Sequence, residues 1–317
     1  MDILLTGSVA YDYLMTFPGL FKEQILPERL ESISLSFLVE SMSRQRGGVA
    51  PNIAYTMALL GARPRVMATV GEDFEEYRAW LDAKGVDTSL MEVVPDVYTA
   101  SFFATTDQAS AQIASFYPGA MGHAGTQSLK DLPSKPELVL VSPNEPGAMT
   151  KFAAESRELE IPYLYDPSQQ VLRLEGEDLA RDMEGAHFLF CNDYEFGLIS
   201  KKTGWSLDQM LDHVKILVIT RGKDGADLYA GGDAVHIPTV PEDEIVDPTG
   251  VGDAFRGGFL AGYSRGFDWK MCGEIGSLAA VYVLEQNGTQ NHGYTRDEFI
   301  TRFRKHFDDE GKLDSLL

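Results

Sequence analysis

The stretch Asp247-Pro248-Thr249-Gly250-Val251-Gly252-Asp253-Ala254-Phe255-Arg256-Gly257-Gly258-Phe259 reads as a tight glycine turn that opens a helix. Thr249 or Gly250 falls near the N-cap. Phe255, Phe259 and Leu260 recur at helical spacing, so one face packs on a core. Gly250 and Gly252 carry no Cβ, which lets a ligand approach the backbone closely. The first amides of a helix have no partner within it, and with the helix dipole they make a seat for an anion, above all a phosphate. Asp253 falls in the first turn beside that seat. An anion hole with a carboxylate at its lip suits phosphoryl transfer to a hydroxyl: the amides hold the phosphate and the carboxylate takes the hydroxyl proton. A bare G-x-G-D more often marks a turn whose aspartate only complements the dipole. Two aspartates and the Gly257-Gly258 pair in one run favour the chemical reading.

Composition bounds the rest. A chain of 317 residues, 44% hydrophobic and 24% charged, suits a globular protein with a sizeable core, as one large α/β domain or two smaller ones. A formal net charge of −21 argues against nucleic acid as a partner. It also requires any site for an anionic substrate to supply its own positive potential, for which Arg221, Lys223 and Arg256 are the nearby basic residues. Cys191 and Cys272 form no metal-spaced pair, and the six His show no ligand spacing. With no leader pattern and no apolar run of membrane length, the expected setting is the reduced cytoplasm, away from membranes.

Along the chain, residues 3–8 read as a buried strand, with Ser8 and Asp12 at its carboxyl end, where open α/β sheets bind ligands. Asp12 there suits two adjacent sugar hydroxyls, although a solvated loop aspartate is the plainer reading. Alternation at Leu35, Phe37 and Val39 suggests an edge strand. Gly47 and Gly48 lead into a helix over 53–60, with Asn52 placed either to cap it or to bind a ribose hydroxyl. Asp73 with Glu76 reads as a capping box for a helix carrying Tyr77, Trp80 and Leu81. Residues 98–117 read as a β-hairpin that joins the Phe37 strand in a small lid sheet. Phe102 and Phe116 on it suit stacking on a base, or simple packing within the lid. Beyond Pro118 strands and helices alternate, as in a parallel sheet: strands at 138–142, 161–165, 188–192 and 216–220, helices at 146–159, 206–213, 252–263, 271–285 and 295–307, and a hairpin over 226–237. Gln170, Asn192 and Arg221 then gather at the carboxyl ends of neighbouring strands. Asn192 and Glu195, three apart at a helix start, suit either a cap or a carboxylate ordering Mg²⁺ through water. Gly262-Tyr263-Ser264-Arg265-Gly266 fits G-x-S-x-G but falls at a helix end, where it reads as a C-cap. There is no P-loop motif.

The 247–259 run resembles the C-terminal signature of the PfkB, or ribokinase-like, family of sugar and nucleoside kinases, and the run from Gly47-Gly48 through Asn52, Gly61 and Gly71-Glu72-Asp73 resembles its N-terminal one. Many members carry Ala where this chain has Val251, a change that a backbone role tolerates. The resemblance spans nearly the whole chain. It implies a ribokinase-like α/β fold, a central mostly parallel sheet flanked by helices, in a single domain over 1–317 with lid segments about 12–46 and 94–120. Within the family the chain is most similar to bacterial adenosine kinases, through Thr6-Gly7-Ser8, the 34–39 and 112–121 stretches, Asp166-Pro167-Ser168-Gln169-Gln170 and Asn192-Asp193-Tyr194-Glu195. That similarity implies ATP-dependent phosphorylation of the adenosine 5′-hydroxyl. Asp253 is then the base, and Gly250, Val251 and Gly252 form the anion hole. Asp12, Gly48 and Asn52 hold the ribose, and Ser8, Ser36, Phe102 and Phe116 line the purine pocket. Gln169, Gln170 and Asn192 border the phosphate path, and Thr220, Arg221, Gly222 and Gly225 run beside the nucleotide. It implies Mg²⁺ held through water by Glu195, a monovalent cation such as K⁺ at Asp247 and Thr249, and a homodimer paired through the lid sheet. A ribokinase- or fructokinase-type sugar kinase and a non-catalytic nucleoside sensor are the alternatives.

Overall fold

A computed structural model describes residues 1–32 and 34–316. The chain begins with β1 (Ile3–Thr6), β2 (Ala10–Thr16), a single-turn helix α1 (Phe21–Gln24) and β3 (Ser41–Gly47). Next come α2 (Val49–Leu59), β4 (Arg65–Val70), α3 (Glu75–Ala83), β5 (Asp87–Val93), and the hairpin β6 (Ala100–Thr106) with β7 (Gln112–Tyr117). The later half is β8 (Leu138–Val141), α4 (Pro146–Glu158), β9 (Tyr163–Tyr165), α5 (Gly176–Met183), β10 (Phe188–Asn192), α6 (Asp193–Thr203), α7 (Leu207–His213) and β11 (Ile216–Thr220). It closes with the hairpin β12 (Ala226–Ala230) and β13 (Asp233–Ile237), then α8 (Val251–Tyr263), α9 (Trp269–Leu284) and α10 (Arg296–Phe303).

Nine strands form one sheet in the order β13-β12-β11-β10-β9-β8-β1-β4-β5, parallel except for β12, which runs antiparallel to both β11 and β13. β1, apolar but for Thr6, and the apolar β8 are buried along their whole length, as strands covered on both faces must be. β1 pairs with β4 on one side and β8 on the other, so the strand order reverses there and a crevice opens at the strands' carboxyl ends. Over that crevice stands a separate four-stranded sheet, β3-β2-β6-β7.

Several local expectations are corrected. The 35–39 stretch is irregular: Phe37 instead packs edge-on against Phe17 and Phe21. The fourth lid strand is β3, whose mostly exposed polar residues give no apolar alternation to read; its pairing with β2 is carried by the backbone. Asp12 lies within a strand, not a loop. Asn52 sits inside the first turn of α2, and Gly48 takes the N-cap position. No capping box joins Asp73 and Glu76, because the Asp73 carboxylate accepts from the Thr99 amide and hydroxyl at 2.8 Å each, while Glu76 pairs with Arg44.

The signature helix α8 is set in place by close contacts. An added Cβ at Gly258 would lie 2.8 Å from the Gly276 Cα of α9, and one at Gly257 would lie 2.8 Å from the Ile53 carbonyl of α2. The Gly-Gly pair is thus what lets three helix backbones meet. Phe259 meets Phe190 and Phe188 of β10 edge to face, at 5.1 and 5.8 Å between centroids. Among the described residues no helix is long and apolar enough to cross a membrane.

Candidate active site

A cavity of about 680 Å³ fills the crevice between the β1/β8 edge and the inner face of the lid, a size suited to a small organic ligand. A shallower depression of about 860 Å³ lies at the opposite ends of the strands, around Asp2, Arg63, Arg65 and Asp87. There Arg65 is already paired with Asp2, and ligands of open α/β sheets bind at the other edge.

Strand register composes the lid wall. Gln45, Asp12, Phe102 and Phe116 are directly opposite one another across β3, β2, β6 and β7, so all four face the same side, and all four line the cavity. Two further rows along, Thr106 and Gln112 close its far end. Burial, reinforced by the Asp247 carboxylate, raises the Asp12 pKa to about 6.

The floor is the start of α8. Gly250 caps it in the left-handed region, φ 80°, where a side chain would also overlap Thr289. Among the described residues the Gly252 and Asp253 amides have no partner. Asp253 opens on the cavity and is otherwise enclosed by protein. Burial raises its pKa to about 7, with Asp166 and Glu195 adding to the rise, against the opposing Asn52 hydrogen bond and the Arg256 charge. Asn52 Nδ2 donates to Asp253 Oδ2 at 2.8 Å, which ties α2 to α8. Beneath this turn Arg256 is almost wholly buried. Its Nη1 donates to the Gly252 carbonyl at 3.0 Å and its Nη2 to Asp166 Oδ1 at 2.8 Å, while Nε lies 2.5 Å from Oδ2 without hydrogen-bond alignment. Arg256 therefore acts on the site as a fixed buried charge and does not reach into the cavity.

Of the residues singled out in the sequence, Ser8, Asp12, Gly48, Asn52, Phe102, Phe116, Gln169, Gln170, Asp247, Thr249, Gly250 and Asp253 all line this one cavity. Ser36 does not: it is exposed on the irregular segment before β3. Val251 and Gly252 lie just behind the lining, in the first turn of α8. Thr220, Arg221, Gly222 and Gly225 lie at the end of β11, outside the cavity, with Arg221 held by Asp227 at 2.6 Å. Asn192 and Glu195 form a reciprocal capping box, at 2.7 and 2.8 Å. Asp247 accepts from the Thr249 amide at 2.9 Å and the Gly288 amide at 3.0 Å. Gln170 donates to the Asn144 carbonyl at 2.6 Å and keeps its Oε1 buried without a partner. The sequence reading missed Gln45, Met121 and Arg173, which also line the cavity, as does Thr289. Arg173 is one turn beyond Gln170, a spacing that a reader could have followed. Gln45 is visible only once β3 is paired.

The mostly parallel sheet, the strand-built lid and the aspartate at a helix N-terminus define a ribokinase-like phosphotransferase. The sequence pattern of the pfkB family carbohydrate kinases matches residues 6–295, and the chain belongs to that family. A nucleoside kinase of Methanothermobacter thermautotrophicus is 30% identical over 306 residues, 95% of each chain. The solved structure of Burkholderia thailandensis nucleoside kinase in complex with inosine is similar with a TM-score of 0.85 and 38% identity, covering 96% of this chain and 98% of that one. That of Methanocaldococcus jannaschii nucleoside kinase, an archaeal member of the ribokinase family, gives 0.87 and 28%, covering 96% and 99%.

Proposed function

We propose that this enzyme is a nucleoside kinase that transfers the γ-phosphoryl group of ATP to the 5′-hydroxyl of a purine nucleoside, with adenosine the first candidate. The observation that carries the reading is the row Asp12–Phe102–Phe116 facing Asp253 across one cavity. A carboxylate for a diol stands beside two aromatic rings for a flat base, and the acid for the reacting hydroxyl lies opposite. The nucleoside kinases to which the chain is similar support the same substrate class.

In this mechanism the 5′-oxygen attacks the γ-phosphorus while its proton passes to Asp253. The new O–P bond forms as the bond to the β,γ-bridging oxygen breaks, and ADP leaves. A loose phosphoryl transition state places little charge on the attacking oxygen until late, so a carboxylate of moderate basicity suffices. The free Gly252 and Asp253 amides meet the charge on the phosphoryl oxygens. Mg²⁺ would neutralise phosphate charge. Glu195 would hold that ion through water. A monovalent cation at Asp247 and Thr249 belongs to the same proposal, and exchanging K⁺ for tetramethylammonium in the assay reads its contribution.

The test is ADP release with Mg-ATP and a panel of adenosine, inosine, guanosine, ribose and fructose. Preference for a free sugar would overturn the nucleoside reading, and tight nucleoside binding without turnover would favour a sensor. Replacing Phe102 or Phe116 by Ala is expected to raise the nucleoside KM about tenfold, since stacking on a base is worth about 1–3 kcal/mol; an unchanged KM would remove the rings from the pocket. On the outer lid face, register places Met42, Phe103, Ile113 and Tyr117 together, all exposed. That patch supports a homodimer through the lid. Light scattering of Phe103→Asp is expected to show a monomer where the parent is a dimer, and a monomeric parent would end that idea.

A further inference from the structure

Asn52 holds Asp253, and what holds Asn52 lies behind the cavity wall. Gln290, 4% exposed, follows α9 in the 285–294 loop. Its Nε2 donates to Asn52 Oδ1 at 2.7 Å and to the Tyr77 hydroxyl oxygen at 2.5 Å, and that hydroxyl donates to the Gly47 carbonyl at 3.0 Å. With Asp253 ionised, as a base must be, the polarity of this chain has one consistent solution. A carbonyl only accepts, so the Tyr77 proton points at Gly47 and its oxygen must accept from Gln290. Both Nε2 hydrogens are then used, and among the described residues Gln290 Oε1 is left buried with no partner. Exchanging the ends of the Gln290 amide would set Oε1 against the Asn52 oxygen. Turning Asn52 to match would set its oxygen against the Asp253 carboxylate. The fold tolerates one orphaned oxygen, at a cost, and thereby fixes the direction of every amide up to the carboxylate.

We infer that Gln290, braced by Tyr77, is a positioning residue for phosphoryl transfer: it locks the Asn52 carboxamide so that it donates to Asp253 and leaves the second carboxylate oxygen aimed at the substrate hydroxyl. The inference rests on the reading of Asp253 as the base. Asp253 is faced by Asn52 from α2, Arg256 from its own helix, Asp166 from the turn after β9 and Glu195 from α6. Asp12, Asp247 and Arg173 stand around the same cavity. Gln290 hydrogen-bonds to none of these charges, so an effect of replacing it travels through Asn52.

The test compares Gln290→Met and Tyr77→Phe with the parent enzyme in full pH profiles of kcat and kcat/KM, using adenosine and Mg-ATP. Losing an oriented donor to a carboxylate raises that carboxylate's pKa. Gln290→Met is expected to lower kcat about tenfold, less than the loss of the base itself would cost, and to leave the ATP KM unchanged. Its acid limb should move to higher pH by about half a unit or more. Tyr77→Phe should move the limb the same way by less, and it carries the test if Gln290→Met does not fold. A limb at the parent pH in a folded variant of lowered melting temperature would overturn the inference, because a merely structural brace changes stability alone. Asp253→Asn separates the two levels. If it is inactive while the Gln290→Met limb is unmoved, only the relay fails; if it is active, the reading of Asp253 fails and the relay with it.

Discussion

Asp253→Asn is expected to lower kcat by about 10²–10⁴-fold, the usual contribution of a positioned general base, while adenosine still binds with near-parental affinity. The substitution is nearly isosteric, and the new Asn oxygen can still accept from Asn52 Nδ2, so the cavity keeps its shape. What it lacks is an acceptor for the 5′-hydroxyl proton. Single-turnover kinetics and calorimetric binding would separate the two effects, and turnover near the parental rate would remove Asp253 from the chemistry. In the parent, burial raises the Asp253 pKa to about 7. The base is therefore lost as pH falls through that value, and kcat/KM should show an acid limb centred near 7. Stability should run the other way. A carboxyl whose pKa is raised on folding contributes stability that is fully present below its ordinary pKa and is lost as pH rises through about 7. At pH 8 the parent carries a desolvated charge that Asp253→Asn does not, so the inactive variant should melt higher there, with the difference vanishing in acid. Activity and stability then trade against one another at a single atom pair.

Arg256→Met is expected to cost about 3–5 kcal/mol of stability, the usual penalty for stripping one member from a buried ion pair. Asp166 is wholly inaccessible, and once the guanidinium is gone the Ser168 hydroxyl, at 2.9 Å, is its remaining side-chain partner. The double variant Asp166→Leu/Arg256→Met should recover most of the loss, since a well-packed apolar pair can replace a buried ionic one at little cost. The recovered protein should nonetheless be altered in function. Arg256 lowers the Asp253 pKa and holds the Gly252 carbonyl at the start of α8, so Arg256→Met should carry the acid limb to higher pH, and the double variant by less, because Asp166, which raises that pKa, is gone as well. Urea titrations of the three proteins decide the matter. A loss under about 1 kcal/mol in Arg256→Met would mean that the pair is not what steadies the turn.

Periodicity and punctuation made much of the frame legible. β10 and β11 carry the bounds read from their apolar runs, and Ser206 caps α7 through a reciprocal box with Gln209. Gly262 to Gly266 ends α8 as a helix terminus and not a nucleophile elbow. These are local signals, written within ten or so residues. The lid was harder. β3 is polar and exposed along most of its length, and a strand held mainly by backbone pairing leaves no apolar rhythm. Asn52 looked like a helix cap because short amides so often are; its real partners, Asp253 and Gln290, lie more than two hundred residues away. Asn192 and Glu195 form the capping box that their spacing allows.

By itself, the sequence determined the parallel sheet, the helix opened at Gly250, and the acid placed beside its free amides, because each depends on spacing and backbone conformation within a single stretch. Tertiary structure decided what faces that acid. Strand register brought Gln45, Asp12, Phe102 and Phe116 onto one wall, and a slip of one residue would turn every one of them outward. It also decided how the acid is tuned, since burial, the Arg256–Asp166 pair and the amide chain from Tyr77 through Gln290 to Asn52 exist only when distant segments meet. Desolvation and hydrogen-bond direction are properties of a packed environment, and no stretch of the chain contains them until the chain has folded.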